Sequence, residues 1–139
     1  MRHGIIFTPD PLNYFDQGVH CRVQRNTVIR DRTTVPLPDM NEGDEVFASL
    51  ITIDNDDRKV GGTTLLAHNH GTDHTLAGQY GAVRIETGIA GIIANQVVTA
   101  AENAMVVTAD NGLFTDNMTN RPNAVFPAGM VQGPDITNL

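Results

Sequence analysis

Between Gly61 and Thr75 the chain reads GGTTLLAHNHGTDHT, placing His68, His70 and His74 within seven residues although the whole chain holds five histidines. Imidazole nitrogen ligates zinc, iron, copper and nickel, and three imidazoles with one open position form a catalytic zinc arrangement. If Leu65 to His70 runs extended, His68 and His70 share a face, because strand side chains repeat every two residues. His74, beyond Gly71, then folds back to supply a third nitrogen. The competing reading is a polar turn whose histidines are solvated or bonded to neighbours. Two other groupings carry less chemistry. Asp54, Asp56 and Asp57 offer oxygen ligands but lack the spaced loop with a closing Glu that calcium uses, so they read as a solvated acidic turn. Cys21 follows His20, yet neighbours on a strand point to opposite faces, which separates thiol from imidazole. With no G-x-S-x-G elbow, phosphate loop or Gly-rich dinucleotide fingerprint, no catalytic residue and no cofactor is assigned.

The order Gly62, His68, His70, His74, Gly81 resembles the first motif of the cupin family, in which two His and a Glu bind a metal inside a jelly roll. His74 stands where that motif has Glu. The second cupin motif is not found: after Pro127-Ala128-Gly129 its histidine position holds Gln132. A cupin-like, metal-dependent enzyme using His68, His70 and His74 is therefore the alternative reading of function.

Composition bounds the rest. A chain of 139 residues suffices for one domain but not two. Hydrophobic residues at 40% and charged residues at 18% indicate a globular chain, and a net charge of −7 argues against nucleic acid as partner. The single cysteine, Cys21, excludes an intrachain disulfide and reads as a half-buried small hydrophobe. No run approaches the roughly 20 apolar residues of a membrane span. The N-terminal stretch also lacks the pattern of a signal peptide, so the chain is expected to be made and used without crossing a membrane.

The elements that must position these residues read as strands. Residues 1–40 hold Pro9, Pro11, Pro36 and Pro38 and five of the nine Lys/Arg, which fits an extended N-terminal arm ahead of an acidic body. The body, 41–115, begins with EVFASLITI and continues with GAVRIET, in which Val83 and Ile85 alternate with Arg84 and Glu86. IAGIIANQVVT reads as two short strands with a kink, because Gly91, Asn95 and β-branched Val97-Val98-Thr99 oppose a helix. AMVVTA is a further strand, and Asp110-Asn111-Gly112 is expected to close it in a tight hairpin. Residues 116–139, with Pro122, Pro127 and Pro134, read as an irregular tail. No sustained helical stripe occurs. The expectation is an all-β fold, a small barrel or sandwich.

Ala77 to Phe114 is similar to the capsid cement, or head decoration, proteins of tailed bacteriophages. The likeness lies in the Ala77-Gly78 turn, the strand Val83 to Gly88, the Val-rich strand Ala104 to Ala109 and its close at Asp110-Asn111-Gly112, with Gly43 to Val46 as an earlier turn leading into a strand. Glu102-Asn103 departs from the Gly-Asp of that pattern. The resemblance implies a structural, non-enzymatic virion protein, assembled in the host cytoplasm on the outer surface of the major capsid shell, most often a homotrimer, with dimers possible. Its partners would be the major capsid protein and further copies of itself. Phe7, Tyr14, Phe15 and Phe126 are candidate interface anchors, since aromatic residues carry a large share of interface energy.

Overall fold

A computed structural model describes residues 5–7, 20–30, 49–54, 62–73, 81–126 and 129–139. Twelve strands are formed there: β1 (Ile5–Phe7), β2 (His20–Gln24), β3 (Thr27–Arg30), β4 (Ile51–Asp54), β5 (Thr63–Ala67), β6 (His70–Asp73), β7 (Val83–Ile93), β8 (Gln96–Thr99), β9 (Met105–Thr115), β10 (Met118–Thr119), β11 (Ala124–Phe126) and β12 (Met130–Gln132). No helix occurs among the described residues. The all-β class expected from the turn residues and β-branched runs is what forms.

Every pairing between these strands is parallel. Instead of returning by hairpins, the chain winds in coils, and each coil lays its strands beside the same strands of the coil before. Three ladders result. Ile5, Ile51, Val83 and Met105 stand in register on the first side, and Val106 carries that side on to Ala124. His20, Thr63, Ile89 and Asn111 stack on the second, which Gly112 continues to Met130. Thr27, His70, Gln96 and Met118 stack on the third, and Met118 bridges onward to Ile136. The first two sides belong to one eight-stranded sheet because β7 and β9 run through both; the third is a four-stranded sheet. This stacking of coils is a solenoid, and it takes the place of the expected barrel or sandwich.

The core lies between the three sides and is also stacked. Val23, Leu66, Ile92 and Phe114 occupy successive positions of one column, all buried. Each such side chain withdrawn from water contributes about 1.5–3 kcal/mol. Ile53, Ile85 and Val107 form a second buried column, and Leu50 fills the space beside Gly71, where a Cβ would approach Leu50 Cδ2 to 2.8 Å.

The alternation read in GAVRIET holds: Val83 and Ile85 are buried, while Arg84 and Glu86 lie outward, 3.6 Å apart. The kink expected in IAGIIANQVVT is present between β7 and β8 at Ala94-Asn95. The hairpin expected at Asp110-Asn111-Gly112 is not formed. Those residues lie inside β9, and Asn111 to Thr115 pair in parallel with Ile89 to Ile93. The reason is positional: β7 already crosses this corner as one strand, so β9 must cross it too to stay in register. Gly112 serves that crossing rather than a turn, since at φ 139 a Cβ would overlap the carbonyl oxygen of Ala90. The stretch expected to be an arm contributes β1, β2 and β3 to the ladders, and the stretch expected to be an irregular tail contributes β10, β11 and β12.

Candidate interaction surface

The corner between the second and third sides is the most regular part of the molecule, and it is where the histidines sit. In four coils it consists of a residue with positive φ followed by asparagine: Arg25-Asn26, His68-Asn69, Ala94-Asn95 and Asp116-Asn117, with φ between 53° and 58° at the first position. In the fifth coil Pro134-Asp135 takes the same place. The left-handed residue turns the chain by one sharp step, and its N–H still reaches the next coil: His68 donates to Ile93 O at 3.1 Å and Ala94 to Thr115 O at 3.1 Å.

The asparagines then form a ladder along the axis. The backbone N–H of Asn26 donates to Asn69 Oδ1 at 3.1 Å, Asn69 to Asn95 Oδ1 at 3.0 Å, Asn95 to Asn117 Oδ1 at 3.1 Å and Asn117 to Asp135 Oδ1 at 2.7 Å. Each Nδ2 repeats the donation to the same oxygen, at 3.0 to 3.3 Å. The Nδ2 groups of Asn69, Asn95 and Asn117 also donate back to Val23 O, Leu66 O and Ile92 O of the preceding coil. A buried amide is tolerated only when its donors and acceptor are satisfied, and here the neighbours above and below do that. The run of side-chain donations stops at Asp135, because a carboxylate accepts but has no N–H to pass on.

This corner corrects the geometry expected for the histidines. Leu65 to His70 is not one extended run. His68 occupies the left-handed position and His70 starts β6, with buried Asn69 between them; both imidazoles are exposed. The alternation that would have put them on one face is broken by the turn, while His74 lies outside the described residues. Among the described residues no three His, Cys, Asp or Glu side chains are grouped to hold a metal.

His20 and Cys21 separate as their strand position requires. His20 Nδ1 meets Thr63 Oγ1 at 2.7 Å on the exposed face, and Cys21 Sγ meets Thr64 Oγ1 at 3.2 Å on the opposite, half-buried one. Burial pushes the Cys21 thiol above its ordinary value of 9.0, and the bond from Thr64 only partly offsets this. Of the acidic turn, Asp54 lies in β4, and Asp56 and Asp57 fall outside the described residues. Among the candidate anchors, Phe7 is in β1 in register with Ile53, and Phe126 is in β11 in register with Thr108. Tyr14 and Phe15 lie outside the described residues, as does the Ala77-Gly78 turn.

A surface absent from the sequence reading emerges on the second side. Leu65, Gly91, Leu113 and Val131 stand in one outward column across four coils, with Ile89 two positions before Gly91. Val131, 63% exposed, and Leu113, 38% exposed, face water one above the other, half-buried Leu65 continues the column beyond Gly91 as far as Arg22, and Ile89, 48% exposed, lies beside it in the row of Thr63 and Asn111. Gly91 leaves the middle of the column shallow. The signal for it in the sequence was present in IAGII and NGLF, but the residues line up only once the coil register is known.

No family model, no curated protein and no solved structure matches this chain. The column and the ladder therefore stand on their own chemistry.

Proposed function

We propose that the protein is a structural, non-enzymatic binding module that docks by its second side, and that the surface it docks on is the outside of a tailed-bacteriophage capsid. The observation that carries the reading is the outward column Leu65, Gly91, Leu113 and Val131 with Ile89 beside it, an apolar stripe fixed on a stacked sheet. A stripe held on a stacked sheet binds at a smaller backbone-ordering cost than a flexible segment, which favours contact with another protein surface. The capsid as partner is drawn from the sequence resemblance to cement proteins. On this reading the protein sits on the shell as a homotrimer, or as a dimer, and contacts the major capsid protein.

The test is co-sedimentation of the purified protein with heads of the phage that encodes it, using the double variant Leu113→Asp/Val131→Asp. Both positions are exposed, so thermal stability should change by no more than about 0.5 kcal/mol each. Charge on the stripe should weaken head binding by roughly tenfold or more. A folded double variant that sediments with heads as well as the parent does would remove the stripe from the interface. Failure of the parent itself to bind would remove the capsid.

A further inference from the structure

We infer that Asn111 is a site of spontaneous covalent modification, at which the side-chain amide is lost through a cyclic imide and the main chain is rerouted. Asn111-Gly112 is the only Asn-Gly pair in the sequence. Asn111 is exposed, and its Oδ1 lies 2.8 Å from the backbone nitrogen of Gly112, with the N–H donating to it. The amide carbon Cγ, one covalent bond from that oxygen, is thus held beside the nitrogen that must attack it. Gly112 has no Cβ to obstruct the approach, and its φ of 139° is one that glycine adopts freely.

The step balances with water as the only co-reactant. Gly112 N gives up its proton to solvent base and bonds to Asn111 Cγ; the Cγ–Nδ2 bond breaks and ammonia leaves. Water then opens the imide at one of its two carbonyls, leaving either aspartate or isoaspartate. Isoaspartate carries the main chain through Cβ and so inserts one extra backbone atom into β9. That atom falls where Asn111 pairs with Ile89 and Gly112 with Met130, which displaces β12 from register. The ladder asparagines provide the internal contrast. Asn69, Asn95 and Asn117 are buried, with Oδ1 and Nδ2 engaged by neighbouring coils, and His70, Gln96 and Met118 follow them in place of glycine.

The experiment holds the folded full-length protein in mildly alkaline buffer and follows each asparagine by peptide mapping with mass spectrometry that separates aspartate from isoaspartate. The peptide holding Asn111 should gain one mass unit, with isoaspartate present, while Asn69, Asn95 and Asn117 react at least about tenfold more slowly because they must first open. The variant Asn111→Gln should lose the mass gain and remain folded. The inference is overturned if Asn111 stays intact in the folded protein over a period in which the same protein in urea converts it. It is equally overturned if the ladder asparagines convert as fast as Asn111.

Discussion

Asn95 shows how much one side chain carries here. It is 1% exposed, its Oδ1 accepts from Asn69 N and Nδ2, and its Nδ2 donates to Leu66 O and Asn117 Oδ1. Asn95→Ala strips partners from buried groups in the coils above and below at once. Each orphaned group costs about 1–3 kcal/mol, so a loss of roughly 2–4 kcal/mol is expected in urea unfolding. Asp135→Asn makes the opposite case. Asp135 receives two bonds at Oδ1 and donates none from its side chain, so an amide there keeps both acceptor contacts and should shift stability by no more than about 0.5 kcal/mol. Equal effects of the two substitutions would mean that the ladder is not a stabilising unit. The histidines that seemed most chemical on reading the sequence gain a different explanation at this scale. His68 holds a left-handed turn and His70 begins a strand, and the residue that matters between them is Asn69.

Among elements, the two-residue corner carries the next expectation. Alanine at φ 53° bears a cost of about 1–2 kcal/mol that glycine does not, offset by the larger freedom glycine has when unfolded. Ala94→Gly should therefore raise stability by about 0.5–1 kcal/mol, and Ala94→Val should lower it; thermal unfolding of both variants checks the pair. A destabilising Ala94→Gly would mean that the Ala94 methyl group contributes more by packing than its conformation costs. The strands themselves were largely legible, since Val83/Ile85 and Met105/Val107 alternate with outward residues as a half-buried strand must. Their parallel arrangement was not. Alternation is the same for parallel and antiparallel partners, and Asn-Gly reads locally as a hairpin wherever it falls. The repeat that would have revealed the coils was visible as an asparagine or aspartate followed two residues on by Val28, Gly71, Val97, Thr119 or Thr137. It is hidden by its spacing. Successive members stand 43, 26, 22 and 18 residues apart, because the other two corners vary in length while this one does not.

At the level of the molecule, stability should be graded along the axis, since each coil touches only its neighbours. β7 is paired on both edges, to β4 and β5 on one and β9 on the other, whereas among the described residues β12 pairs with β9 alone. Amide hydrogen exchange should accordingly be slowest from Val83 to Ile93 and faster from Met130 to Gln132. Uniform exchange across both would indicate a single cooperative unit. The stepped construction also makes length a countable property. Asn95 and Asn117 occupy equivalent corners 22 residues apart, so the chain between them is one interchangeable unit with matching faces on both sides. Duplicating that unit would lengthen the body by one rung, about 4.8 Å, and deleting it would shorten the body by the same step. The outward stripe would be extended or cut with it, so reach and contact area could be tuned together in whole increments without redesigning a core.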